Sequence, residues 1–379
     1  MKVVIAPDSY KESLTAMEVA TAIELGFKQV MPDAQYIKLP MADGGEGTVQ
    51  SLVDATGGII IEQQVKGPLG ESAAGFFGLV GDGSTAVIEM AAASGLHLVE
   101  PSLRNPLLTT SYGTGELIKS ALDRGVKHII IGLGGSATND GGVGLAQALG
   151  VKMQDSSGND IAFGGGSLDK LSTIDLADLD PRLADVTLEV ACDVDNPLCG
   201  PKGASHVFGP QKGATPAMIE TLDANLAHYA KVIFDTTDMS VKDVAGAGAA
   251  GGLGAALIGL FNATLRPGIS IVMDAVNLSE VVKDADLVIT GEGRIDSQTI
   301  HGKTPVGVAR TAKQFDLPVI AIAGSTAADC AVVHEHGIDA AFSVVLGATD
   351  LPTALKEAAF NVEMTSRNVA KALSITLGR

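Results

Sequence analysis

Short apolar runs alternate with stretches of helical period at both ends of the chain, and the middle follows a different rule. Near the N-terminus, residues 2–6 read as a strand and 17–30 as an amphipathic helix. Thr15 caps that helix, with Glu18 at capping-box spacing. Residues 35–39 are the next strand and 47–55 the next helix. The same alternation returns late: strand 286–290, helix 306–315, strand 318–323, helix 330–336, strand 340–345 and a long amphipathic helix over 355–377. Such a rhythm predicts a parallel sheet with helices on both faces. Between them, residues 59–65, 73–80 and 85–89 are consecutive strands with no helix between, and Gly81-Asp82-Gly83-Ser84 is a hairpin-type turn. A helix at 115–122, strands at 128–131 and 187–191 and long loops rich in Gly, Asp and Pro follow. The pattern therefore predicts one doubly wound α/β domain from 1–58 and 275–379, with a mixed α/β domain, 59–274, inserted in it. Two chain crossings between domains predict a cleft, where ligand sites are favoured.

Composition narrows the class. A length of 379 residues suits two domains. With 46% hydrophobic and 18% charged residues, 46 glycines and no Trp, the core is expected to be aliphatic, as in parallel α/β layers. The net charge of -18 argues against nucleic acid and anionic membranes as partners. Small anions remain possible, because local amides and a few Lys or Arg suffice to hold them. Three widely spaced cysteines, Cys192, Cys199 and Cys330, read as reduced thiols, and the start carries no secretory pattern, so a cytoplasmic protein is expected. The charge-free stretch 246–265 has the length of a membrane span, but its glycines and polar residues favour a buried loop and helix.

The candidate chemistry lies in five loops. Asp8, Ser9 and Lys11 follow the first strand, where open parallel sheets place ligands. Asp43-Gly44-Gly45-Glu46-Gly47 opens a helix, and either its amides hold an anion or Asp43 and Glu46 hold Mg²⁺. After the strand at 128–131 come Gly132, Gly134, Gly135, Ser136, Ala137, Thr138, Asn139 and Asp140. Gly132-x-Gly134-x-x-Ala137, with Asp155 further on, outlines a dinucleotide fingerprint and founds a rival reading, an NAD-dependent oxidoreductase. Gly246-x-Gly248-x-x-Gly251 matches literally too, but no apolar strand immediately precedes it. Asp193 and Asp195 follow strand 187–191 and suit a shared metal or a base, while Lys202 and Lys212, beside glycines, suit phosphate. Last, Gly291-Glu292-Gly293-Arg294-Ile295-Asp296 follows a strand and leads to Gly302-Lys303-Thr304. The phosphate-loop pattern fails there, since Ser297 stands where it needs Gly. No serine-hydrolase elbow and no zinc-ligand spacing is present. Carboxylates, cations and glycine amides together suit phosphoryl transfer, which rests on positioning and charge neutralisation.

These segments, taken in order, resemble the type I glycerate kinase family: Ala6-Pro-Asp-Ser-Tyr-Lys-Glu-Ser-Leu14, Asp43-Gly-Gly-Glu-Gly-Thr48, Gly134-Gly-Ser-Ala-Thr-Asn-Asp-Gly-Gly142, Cys192-Asp-x-Asp-Asn-Pro-Leu198, Phe208-Gly-Pro-Gln-Lys-Gly-Ala214 and Gly291-Glu-Gly-Arg-Ile-Asp-x-Gln-Thr299. The resemblance covers essentially the whole chain. Many members have Phe and Gly where Tyr10 and Glu12 stand here, while Lys11 is retained. It implies ATP-dependent phosphorylation of D-glycerate to 2-phosphoglycerate, a flavodoxin-like domain from both termini and an inserted restriction-endonuclease-like domain. On that reading Asp193 or Asp296 is the base and Lys11 and Arg294 neutralise charge. Asp8, Ser9, Gly291 and Glu292 belong to the substrate site. Gly134, Gly135 and Ser136 or Gly44 and Gly45 hold phosphates, with Asn139 and Lys212 as further ATP-site candidates, and Asp195 or Asp43 holds Mg²⁺.

Overall fold

The computed structural model describes residues 1–377 and divides, by its contacts, into two units. The first comprises Met1–Asp43, Gln50–Gly57 and the chain from Ile269 onward; the second comprises Gly44–Val49 and Gly58–Gly268.

The first unit is built on a five-stranded sheet whose pairings are all parallel. Across the sheet the strands run Ala340–Ser343, Val319–Ala323, Leu287–Gly291, Lys2–Pro7 and Gln35–Lys38, so in chain order the sequence is 2-1-3-4-5. The three central strands are almost wholly buried and β-branched, as a sheet covered on both faces requires. Helix Ala16–Lys28 starts on the expected box: the Glu18 amide donates to Thr15 Oγ1, and the Glu18 carboxylate accepts from the Thr15 amide. Its Val19, Ile23 and Phe27 join Val3, Ile5, Ile289 and Ile322 in one core, together with Val362 and Val369 of helix Ala358–Leu377. The C-terminal helix predicted over 355–377 is two helices, Leu351–Lys356 and Ala358–Leu377, separated at Glu357. Cys330–His336 is a 3₁₀ turn.

The second unit holds a mixed six-stranded sheet in the order Thr264–Arg266, Thr187–Ala191, His128–Gly132, Thr85–Glu89, Ser72–Val80, Ile59–Lys66. The last three strands form an antiparallel meander and the rest pair in parallel. Stretch 246–265 contains the helix Ala249–Phe261, kinked by left-handed backbone at Ala250, Gly251 and Gly252. Among the described residues no helix is long and apolar enough to cross a membrane.

Candidate active site

Register places the functional loops. In the first unit Pro7 pairs with Gly291, so Asp8 and Glu292 leave adjacent strand ends side by side. The Asp8 amide donates to the Gly291 carbonyl at 2.8 Å. Its carboxylate accepts from the Ser9 amide at 2.7 Å and from Thr304 Oγ1 at 2.7 Å. Burial, helped by the nearby Asp43 charge, pushes the Asp8 carboxyl up to about 6, against the pull of the Thr304 and Ser9 hydrogen bonds. Glu292 is buried too. It accepts from Thr299 Oγ1 at 2.6 Å and meets Lys303 Nζ at 3.2 Å. Burial raises its carboxyl, opposed by Thr299 and Lys303. Gly302-Lys303-Thr304 thus serves two carboxylates: Thr304 binds Asp8 and Lys303 binds Glu292.

Asp8, Ser9, Asp43, Gly291 and Glu292 therefore form one neighbourhood. Lys11 is exposed, with its backbone beside Gly293, where an added Cβ would lie 3.7 Å from the Lys11 nitrogen. Arg294 is exposed and reaches Asp296, Nε to Oδ2, at 3.4 Å. The Asp296 carboxylate also accepts from the Gln298 amide. Tyr10 is buried and donates to the Ile322 carbonyl at 2.6 Å, anchoring the loop that carries Lys11.

In the second unit Glu89, Gly132 and Ala191 end three neighbouring strands in register. The glycine loop after His128–Gly132 stays irregular until helix Val143–Ala148 begins. This removes the structural basis of the oxidoreductase reading, because no helix starts at the glycine pair to face a pyrophosphate. Asp155 sits in a separate turn, accepting from the Ser157 and Asn159 amides at 2.8 and 3.0 Å. Gly134 and Gly135 are exposed, whereas Ser136, Thr138, Asn139 and Asp140 are buried. Asp140 anchors the loop from below: it accepts from the Ser111 amide and hydroxyl, both at 2.8 Å, and from the Gly142 amide at 3.1 Å. Asn139 Nδ2 donates to Ser205 Oγ at 3.0 Å. Gly251 allows close packing here, since a Cβ would lie 2.0 Å from the Thr138 carbonyl oxygen. The second literal fingerprint match thus has a packing role.

Lys212 corrects an expectation. It is only 1% exposed and donates to the Thr138 carbonyl at 2.6 Å. Burial pulls its pKa down to about 7, against the Asp140 charge. A side chain held beneath the loop is no mobile charge for phosphate; it shapes the loop instead. Asp193 is exposed, and its Oδ1 accepts from the Gly268 amide at 3.0 Å; Asp195 is exposed as well. Residues 44 and 45 lie against the strand ends. A Cβ on Gly132 would sit 2.8 Å from the Gly44 carbonyl oxygen, and one on Gly134 would sit 3.5 Å from Gly45 Cα.

Sequence reasoning missed Thr304, Thr299 and Glu89. For Glu89 a signal existed: it is the lone charge at the end of an otherwise uncharged strand, Thr85–Glu89, and is followed by a buried Met. Among the described residues no group of three or more His, Cys, Asp or Glu side chains forms a metal cluster.

Strand ends that carry buried carboxylates and a lysine in the first unit, and an exposed glycine loop in the second, suit an enzyme acting on anionic substrates. The comparisons make this specific. The model of the glycerate kinase family matches residues 3–374. A glycerate kinase of Haemophilus influenzae is 63% identical, covering 99% of both chains. A glycerate 2-kinase of Escherichia coli is 60% identical, covering 99% of this chain and 98% of its own. A crystal structure assigned to glycerate kinase 2 of Salmonella typhimurium LT2 superposes with a TM-score of 0.93 at 60% identity, covering all of both chains. The chain belongs to the glycerate kinase family. It is a kinase, a transferase acting on glycerate, and nothing in these comparisons supports the oxidoreductase.

Proposed function

We propose that the protein transfers the γ-phosphoryl group of ATP, with Mg²⁺, to the 2-hydroxyl of D-glycerate, giving 2-phosphoglycerate and ADP. The observation that carries this reading is the relative named glycerate 2-kinase, which aligns over 99% of the chain. The local chemistry fits the required groups. Exposed Gly134 and Gly135 follow a strand end, and Gly44 adopts φ 91° where a Cβ would meet Ala191 and Gly268 at 2.8 Å. Such a cradle lets backbone amides approach phosphate oxygens. Gly44, Gly45, Gly134, Gly135 and Ser136 hold the nucleotide phosphates, and Asn139 fixes the loop through Ser205. One or two carboxylates would suffice for Mg²⁺, which would supply charge neutralisation of the phosphates, and Asp43 or Asp195 would hold it.

Mg-ATP, when bound, supplies the phosphoryl group and counter-charge. The chain's own residues bind and orient glycerate and take its hydroxyl proton. Lys11 and Arg294 neutralise the glycerate carboxylate, with Ser9, the Gly291 backbone and Glu292 around it. Of the carboxylates, Asp8 suits the proton best: it is held by Ser9 and Thr304 and has a pKa of about 6, close to the working range of a general base. This replaces Asp193, which instead accepts from the Gly268 amide, and Asp296, which pairs with Arg294. The strand order 2-1-3-4-5 supports a flavodoxin-like description of the first unit. The family's restriction-endonuclease-like description is the corresponding proposal for the second, with boundaries at 1–58, 59–274 and 275–379.

The test mixes protein, Mg-ATP and D-glycerate and offers the product to enolase. Direct conversion is expected, and a requirement for a mutase before enolase acts overturns the 2-position. Within that assay Asp8→Asn and Lys11→Ala are each expected to lower kcat/KM by about 100-fold or more. Near-normal turnover in both would overturn the residue roles.

A further inference from the structure

The helix Thr48–Thr56 begins in the loop proposed for phosphate, yet a carboxyl of the chain itself already stands at its start. Glu89 is 8% exposed. Its Oε1 accepts from the Val49 amide at 2.9 Å, and the Gly47 and Thr48 amides, the latter donating to the Gly45 carbonyl at 3.3 Å, lie close enough to favour its charged form. A carboxylate here satisfies an orphan amide and complements the positive end of the helix. Gly47 is glycine with φ 88°, in the left-handed region, so the chain turns sharply just before Thr48. Upstream in the same loop, the Gly44 carbonyl and Gly45 Cα pack on Gly132 and Gly134. Glu89 itself pairs in register with Gly132. One buried side chain therefore ties the downstream end of the loop at residues 44–47 to the sheet whose neighbouring strand carries the other glycine loop.

We infer that Glu89 is a positioning residue: its carboxyl, bonded to the Val49 amide, closes the helix start and thereby sets residues 44–45 against 132–135 as a two-layered cradle for the phosphate end of the nucleotide. It follows that substrate phosphate is held by residues 44–45 and 134–136, not by the helix start. The inference deepens the ATP-dependent reading and rests on it.

Glu89→Gln keeps the shape but turns one acceptor oxygen into a donor that faces backbone N–H groups. The expected result is a rise of about tenfold or more in KM for ATP, with KM for D-glycerate within about threefold of wild type, since only the nucleotide cradle is disturbed. Glu89→Asp, which keeps the charge, recovers part of the loss. A KM for ATP within about twofold of wild type in Glu89→Gln, or an equal rise in both KM values, overturns the inference. Hydrogen exchange on the wild-type protein covers the case in which the variant does not fold. The Val49 amide, which donates to Glu89, is expected to exchange about 100-fold more slowly than the exposed Glu46 amide, and equal rates overturn the clamp. A wild-type protein that forms no phosphoglycerate refutes the ATP-dependent reading itself, while the exchange measurement still reports on Glu89.

Discussion

Glu12 stands at φ 65°, in the backbone region that glycine adopts freely and a side chain resists. Many members of the family that the chain resembles carry Gly there, and the geometry explains why. Relief of left-handed strain, partly offset by glycine's greater freedom in the unfolded chain, sets the expected gain for Glu12→Gly at about 1 kcal/mol. A denaturant midpoint at unchanged m-value measures it, and an equal or lower midpoint contradicts it. Lys212 gives a second residue-scale prediction. Its ordinary pKa of 10.5 applies to the unfolded chain, and about 7 to the fold. Between these values the unfolded state holds a proton that the native state lacks, so this group makes stability rise as pH rises through that window. Lys212→Met deletes the rise. The wild type should therefore gain in Tm relative to Lys212→Met between about pH 7 and 10, and a constant difference would show that Lys212 does not titrate there. The sequence displayed Lys212 as a cation flanked by glycine. That its ammonium lies under Thr138 is a tertiary fact that no local pattern carries.

Elements were more legible than sites, for a physical reason. Strand Thr187–Ala191 and strand Thr85–Glu89 appear with the predicted bounds, because apolar runs bounded by turn residues report burial directly. The helix starting after Thr15 was legible because its capping box is local chemistry. The stop at Glu357 was not, since both flanking segments keep helical period and only packing decides where the axis turns. Asp8, Ser9, Asp43 and Glu292, read from loops that follow strands, share one neighbourhood. Glu89 escaped notice because it reads as the last residue of a strand, and its partners lie 40 residues away at Val49. Helix–helix contact supplies the test at this scale. In helix Ala16–Lys28, a Cβ on Gly26 would lie 2.3 Å from the Glu363 carbonyl oxygen and 2.7 Å from Ser366 Cβ on helix Ala358–Leu377. Backbone cannot swing aside as a side chain tip can, so Gly26→Ala forces the helices apart despite alanine's better helix propensity. The expected loss is about 1–3 kcal/mol, read as a lowered Tm, and a Tm equal to or above wild type would show that the pair tolerates separation.

At the scale of the whole molecule the net charge of -18 opposes the chemistry. Both proposed substrates are anions, so the distant field repels what Lys11, Arg294 and the glycine amides attract. The two effects have different ranges. Repulsion sums over charges many ångströms away and is cut sharply once the Debye length falls to about 8 Å at physiological ionic strength. Contacts at hydrogen-bond distance, partly buried, are screened much less. Adding neutral salt from low ionic strength should therefore remove repulsion before it weakens binding. The expected outcome is a KM for D-glycerate that falls about two- to fivefold between roughly 10 and 150 mM NaCl, with kcat nearly constant. Initial rates at saturating Mg-ATP check it. A KM that rises steadily over the same range would mean that a local cationic field already outweighs the overall charge, and that the cations near the site act at longer range than their contacts suggest. The direction of the salt effect thus separates a site that works against its own surface from one whose surface guides the substrate in.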